Sequence, residues 1–431
     1  MKDFREIYKD KLVTAEQAVQ CVKSGNRVVL GHACSEPSAL VGALVARADE
    51  LRDVEIVHMV AMGQAKYTLP EMEKSFRHNA LFVGGSTRKA VEEKRADYTP
   101  CFFSEIPRLF TNKILPVDVA LIQVTPPDAE GFCSFGLSVD YTAAAADSAN
   151  IVIAQINCNF PRTAGTKIHL SKIDWLVEID EAVLELKPPV IGEIEKMIGE
   201  HVASLVQDGA TLQLGIGAIP DAVLLFLKNK KDLGIHSEMF SDGVVVLAEA
   251  GVITNKKKTI NTGKFTASFL MGTRKLYDFV DNNPNVDMQP IAYVNDPYVI
   301  GQHENMISIN SALQVDLMGQ VNAEMIGSKQ YSGIGGQVDF VRGASRSKNG
   351  KSIIAMPSTA SGGKLSRIAC ELDRGAAVTT SRNDVHYIAT EYGVVELRGK
   401  SLAQRARALI SIAHPDFREA LMTEAKTKGI L

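Results

Sequence analysis

Short apolar, β-branched runs alternate with stretches of helical period along most of the 431 residues, and that alternation limits the chain to α/β architecture. The clearest runs lie at 27–30, 54–60, 81–83, 119–124, 151–156, 211–214, 244–246, 306–309 and 352–356. Several are apolar throughout, as strands are when helices cover both faces of a mainly parallel sheet. Helical spacing is clearest at 14–24, 38–51, 191–206 and 221–228. Thr14 with Gln17 has the form of a capping box, and Pro220 suits the first position of the helix predicted after it.

At this length two or three domains are expected. A weak internal repeat suggests two. Ser24–Gly31 leads to Pro37-Ser38-Ala39-Leu40, and Asp208–Gly215 leads likewise, with one gap, to Pro220-Asp221-Ala222-Val223. Chance likeness of two strand–glycine–helix units is the alternative. Taken as a repeat, it predicts two related α/β halves, 1–187 and 188–431, joined near Pro188-Pro189, which cannot continue a helix. Only the second half has a Gly-x-Gly-x-x-Pro turn, so the chemistry is expected mostly there, facing the first half across a cleft.

Charge is nearly balanced, with 47 Lys plus Arg against 50 Asp plus Glu. This gives no reason to expect nucleic acid or an anionic membrane as partner. The polar opening Met1–Glu6 has no signal-peptide pattern, and no stretch approaches the roughly 18 apolar residues of a membrane span. Six scattered cysteines, Cys21, Cys34, Cys101, Cys133, Cys158 and Cys370, read as reduced, mostly core thiols of a cytoplasmic protein. Nine histidines show no ligand spacing, so no metal site is expected. No G-x-S-x-G elbow is present.

Two neighbouring segments carry the chemistry. Gln213-Leu214-Gly215-Ile216-Gly217-Ala218-Ile219-Pro220 is a strand followed by a turn that can bring backbone amides to a ligand oxygen. Soon after it, His236-Ser237-Glu238-Met239 supplies a carboxylate able to attack as a nucleophile, which suggests acyl transfer through a glutamyl intermediate. A dinucleotide fingerprint is the rival reading of the turn, weakened by Pro220 where a third glycine belongs; a turn without a ligand is another. Gly333-Ile334-Gly335-Gly336 can form an oxyanion nest or a plain hairpin, and Arg342 and Arg346 can meet a phosphate or only solvent. Ser361-Gly362-Gly363-Lys364 approaches a phosphate loop but has Leu365 where Ser or Thr is required. Asn310, closing an apolar strand, is either an oxyanion donor or a loop cap. Thr379–Asp384 and Thr390-Glu391-Tyr392-Gly393 are polar loops with no role assigned from the residues alone.

Together these blocks, with Gly335–Phe340 and Thr390–Gly393 in order, make a chain that resembles the acetyl-CoA hydrolase/transferase family of class I CoA-transferases over nearly its whole length. The resemblance implies a CoA-transferase/sugar-phosphate-isomerase-like pair of open α/β domains with the active site in the cleft between them. It implies Glu238 as nucleophile, with Asn310 and the amide of Gly335 or Gly336 as the oxyanion hole. Gly215, Ile216, Gly217, Ala218 and Ile219 would line the CoA site, with Leu313 and Gly336 near it. Acyl-CoA and a short-chain carboxylate would be the substrates, with acetyl-CoA as donor and 4-hydroxybutyrate as acceptor, and no tightly bound cofactor. Butyryl-CoA:acetate transfer or acyl-CoA hydrolysis would use the same residues, whereas a ligand sensor of related fold would not need Glu238. A homodimer or a dimer of dimers is the family expectation.

Overall fold

The computed structural model describes residues 4–431; Met1–Asp3 of the polar opening lie outside the described residues. The chain divides into two compact units. The first holds the chain to Leu186 together with Thr266–Val294, and the second Lys187–Phe265 with Asn295–Leu431. The chain thus leaves the first unit one residue from the expected join, but the second half is not continuous. Residues 266–294 are held in the first unit by main-chain bonds and a tyrosine hydroxyl that length and periodicity do not reveal. Bridges join Ser138 to Phe269 and Gly165 to Met288, Leu186 N–H donates to the Gly272 carbonyl at 2.9 Å, and Tyr277 hydroxyl donates to the Leu184 carbonyl at 2.6 Å.

The first unit is built on a seven-stranded sheet: β1 (Arg27–Leu30), β2 (Val54–His58), β3 (Phe76–Ala80), β4 (Ala96–Tyr98), β5 (Val119–Val124), β6 (Ile151–Asn157) and β7 (Trp175–Ile179). Their spatial order is β4-β3-β2-β1-β5-β6-β7, all parallel. All six β5 residues are buried, as the continuous apolar run predicts for a central strand covered on both faces. Leu40 and Leu44 of helix α1 (Ser38–Val45) share one buried cluster with Leu30, Ile56 and Leu121. Thr14 and Gln17 form the predicted capping box, although the α-helix there ends at Ala18.

The second unit is built on a six-stranded sheet: β8 (Thr211–Leu214), β9 (Gly234–Ile235), β10 (Met306–Ser311), β11 (Lys351–Ala355), β12 (Tyr387–Thr390) and β13 (Gly393–Glu396). Their order is β9-β8-β10-β11-β12-β13, parallel except for the last pair. Helices α2 (Glu193–Ser204), α3 (Ala218–Phe226), α4 (Asp242–Glu249) and α5 (Gln337–Arg346) accompany this sheet. Two strand expectations fail, one in each unit. The Val244-Val245-Val246 run is not a strand but part of α4, and the 81–83 run lies just beyond β3. The chain runs from β8 outward to β9 and then back across to β10. The carboxyl ends of β8 and β10 therefore flank a topological switch point, where open α/β sheets bind their ligands.

The six cysteines are free; Cys34, Cys133 and Cys370 are buried, Cys21 and Cys101 half-buried, and Cys158 exposed. Among the described residues no helix is long and apolar enough to cross a membrane.

Two fully buried histidines of the first unit make stability pH-dependent. His58 Nδ1 lies 3.0 Å from the Tyr67 hydroxyl and His78 Nδ1 lies 3.0 Å from the Ile56 carbonyl. Burial above all holds both pKa values below the usual 6.5, that of His78 at about 4. Folded-state pKa values below the unfolded ones mean that the unfolded chain takes up protons first as pH falls. The stability they contribute is present above pH 6.5 and declines towards pH 4, each histidine adding a slope of at most about 1.4 kcal/mol per pH unit. Urea titrations at pH 7.5 and 5.5 are expected to show this loss, and His78→Gln to flatten it.

Candidate active site

At the end of β8 the chain must turn from a buried strand into α3, and glycine makes that turn possible. Gly217 has φ +118° and ψ 178°, a conformation L side chains rarely adopt, and it caps α3 without a side-chain bond. A Cβ on Gly215 or Gly217 would meet nothing within 4 Å, so the space over the turn is open. The corresponding glycine after β1 is closed over, because a Cβ on Gly31 would lie 2.8 Å from the Ser35 carbonyl oxygen. The first amides of a helix have no intrahelical acceptor, and those of α3 follow directly on this open turn. Ile216 is 45% exposed and offers an apolar surface, but Ile219 is only 8% exposed and belongs to the core. The helix begins at Ala218, so Pro220 is its third residue rather than its first, still within the turn where its missing N–H costs no bond. Asp221, also in that turn, accepts from Ser241 Oγ at 3.2 Å, and burial pushes its pKa up.

Glu238 reaches the same place from β9. His236 N–H donates to the Leu212 carbonyl at 3.1 Å, and Ser237 Oγ bonds both Leu214 N–H and its carbonyl, at 3.3 and 3.2 Å. These bonds pin the segment to the end of β8 and deliver the half-buried Glu238 side chain to the switch point.

The third wall is the start of α5. Gly335 has φ +52°, and Gly336 caps the helix. Gln337 staples this end in place, donating from Nε2 to the Ser311 carbonyl at 2.8 Å and accepting from Thr380 Oγ1 at 2.8 Å. A Cβ on Gly336 would overlap Glu238 Oε2 and Asn295 Nδ2 and lie 3.0 Å from Glu238 Cδ. Any larger residue there would force the carboxylate, the Asn295 amide or the helix start to move.

Asn295, to which no motif in the sequence points, completes the contact. Its side chain is fully buried, and Nδ2 donates to Glu238 Oε2 at 3.1 Å and to Asp339 Oδ2 at 3.5 Å. In the sequence it sits in Asn295-Asp296-Pro297, which has the form of an ordinary turn, and Asp296 does cap the short helix that follows.

Asn310 stands at the end of β10 as expected, but its amide is engaged elsewhere. Nδ2 donates to Gln213 Oε1 at 3.2 Å and Ser308 Oγ at 2.9 Å, while Oδ1 accepts from Gln213 Nε2 at 3.3 Å. Asn295, not Asn310, is therefore the side-chain amide that touches Glu238. Leu313 is half-buried just past β10, and its carbonyl accepts from Arg367 Nη1 at 3.4 Å. Glu391 is structural: its carboxylate accepts from Ser358 N–H at 2.8 Å and Ser358 Oγ at 2.6 Å. The Ser361–Gly363 segment is the turn of a small hairpin with no helix after it, so the phosphate-loop reading fails. Arg342 pairs with Asp384 at 3.5 Å, and the Arg346 guanidinium covers the Tyr298 ring at 4.6 Å.

The arrangement is one carboxylate held against the glycine that caps α5, with a buried amide donor on one of its oxygens and an open glycine turn beside it. It suits attack on an acyl carbon whose oxygen gains charge. Comparison with known proteins agrees with that chemistry. The acetyl-CoA hydrolase/transferase N-terminal domain matches residues 1–188 and the C-terminal domain of the same family residues 272–425. The 4-hydroxybutyrate coenzyme A transferase of Clostridium kluyveri is 64% identical, covering 99% of this chain and 100% of its own. The solved structure of 4-hydroxybutyrate CoA-transferase from Porphyromonas gingivalis superposes with a TM-score of 0.86 at 43% identity, covering 99% of this chain and 100% of its own. RipA from Yersinia pestis superposes with a TM-score of 0.95 at 38% identity, covering both chains completely. The chain is therefore an enzyme, a CoA-transferase, and belongs to the acetyl-CoA hydrolase/transferase family.

Proposed function

We propose that the protein moves CoA from acetyl-CoA to 4-hydroxybutyrate through a glutamyl-CoA thioester on Glu238. The observation that carries the mechanism is the Glu238 carboxylate held between Gly336 and the Asn295 amide. The acceptor rests on the 64% identity to a 4-hydroxybutyrate coenzyme A transferase.

In the first step a Glu238 oxygen attacks the thioester carbon, the C–S bond breaks, and an acetyl-glutamyl anhydride and CoA thiolate form. The thiolate then attacks the glutamyl carbonyl, the anhydride C–O bond breaks, and acetate leaves. Glutamyl-CoA remains. The acceptor carboxylate attacks this thioester, and the same steps run in reverse with the new acyl group. Each thioester replaces another of similar energy, so the exchange needs no nucleotide hydrolysis. The oxygen of the glutamyl carbonyl carries charge in both directions of attack, and Asn295 Nδ2 already donates to a Glu238 oxygen. The open turn at Gly215–Ala218 and the amides of Gly335 and Gly336 are the groups we assign to CoA and to the substrate oxyanion.

An exchange assay tests the substrate assignment. With acetyl-CoA as donor, mass detection of the acyl-CoA products is expected to show 4-hydroxybutyrate preferred over butyrate by about tenfold in kcat/KM, the lower end of what one small group on a substrate is worth in a binding pocket. Butyryl-CoA formation without 4-hydroxybutyryl-CoA would overturn the acceptor, and free CoA without any new thioester would mean hydrolysis.

A further inference from the structure

We infer that Asp339 is a positioning residue that aims the N–H side of the Asn295 amide at Glu238, an inference that rests on the glutamyl mechanism above. An asparagine amide has two ends of nearly equal size, and its neighbours decide which way it faces. Here Asn295 is fully buried, and its Oδ1 makes no hydrogen bond. Its orientation is set from the other end, where Nδ2 meets Glu238 Oε2 at 3.1 Å and Asp339 Oδ2 at 3.5 Å. An amide nitrogen carries two hydrogens, one for each carboxylate. Turned over, the same side chain would set an oxygen against two carboxylates and lose both bonds in a buried setting.

The two carboxylates differ in what happens to them during turnover. Glu238 is anionic only in the free enzyme; in the anhydride and the thioester it is a neutral acyl group and orients a donor weakly. Asp339 is acylated at no step, so its carboxyl oxygen stays in place as an acceptor throughout. It is the third residue of α5 and only 4% exposed, in a helix start fixed by the Gln337 bonds to Ser311 and Thr380. Its carboxylate also lies in the first helical turn, where negative charge is favoured. Asp339 thus keeps an N–H ready for the glutamyl carbonyl at the stage when that carbonyl becomes the electrophile.

The test is a double-mutant cycle of Asp339→Asn and Asn295→Ala on the full-length enzyme, assayed with acetyl-CoA and the acceptor that the wild type uses. D339N is expected to lower kcat about tenfold with the KM for acetyl-CoA within about twofold. In the N295A background the same change is expected to cost less than about twofold, because its effect passes through Asn295. Glutamyl-CoA, quantified by mass after borohydride reduction, is expected to accumulate in D339N. Additive losses, or an unchanged kcat, would overturn the inference. If D339N is insoluble, Asp339→Ser replaces it in the cycle; if neither folds, Asp339 holds the fold rather than the amide and the inference fails. A wild type that turns over without any label on Glu238 would instead refute the glutamyl mechanism.

Discussion

Glu238→Ala is expected to abolish CoA transfer while leaving CoA binding nearly intact. Without the carboxylate no covalent intermediate can form, and loss of a nucleophile typically costs a factor of about 10,000 or more in kcat. The surfaces assigned to CoA, the open turn at Gly215–Ala218 and the start of α5, are held by bonds that do not involve Glu238. Ser237 pins β9 to β8, and Gln337 pins α5 to β10. Calorimetry is accordingly expected to give a CoA Kd within about threefold of the wild type, about 0.7 kcal/mol at most. Retained turnover in the purified variant would remove Glu238 from the mechanism.

Gly336→Ala is expected to have the next largest effect, by a different route. The new methyl group would overlap both Glu238 Oε2 and Asn295 Nδ2, so either the carboxylate or the helix start must move. Misplacing a reacting group by about 1 Å costs on the order of 100-fold in rate, and we expect that loss in kcat. Gly215→Ala is the matched control, because its Cβ would enter open space. Its kcat is expected to fall far less, with any change seen mainly in the KM for acyl-CoA. Equal losses in the two variants would mean that the Gly336 contact with Glu238 has no special part in the reaction.

The fold was legible where burial governs the pattern. The apolar runs at 119–124 and 211–214 coincide with β5 and β8, buried along their full lengths. Val244–Val246 misled because three β-branched residues favour a strand only weakly, and here Ser241 and Asp242 open helix α4 instead. The return of 266–294 to the first unit was not legible at all, because main-chain bonds such as Leu186 to Gly272 leave no trace in residue type. At the site, the glycine turn and Glu238 stood out because turn chemistry is local. Asn295 did not, lying 57 residues beyond Glu238 in a segment that reads as a turn. Asn310 looked like a donor from its place at a strand end, and only the Gln213 and Ser308 bonds reveal that its amide is already engaged.

The most direct test of the central claim is to trap the intermediate. The protein would be incubated with acetyl-CoA in the absence of acceptor, reduced with borohydride, digested and mapped by mass. The account predicts conversion of the Glu238 carboxyl to an alcohol in the peptide containing His236–Met239, dependent on acetyl-CoA and absent in Glu238→Ala. An enzyme that transfers CoA in the same preparation, yet leaves Glu238 unmodified, would contradict it.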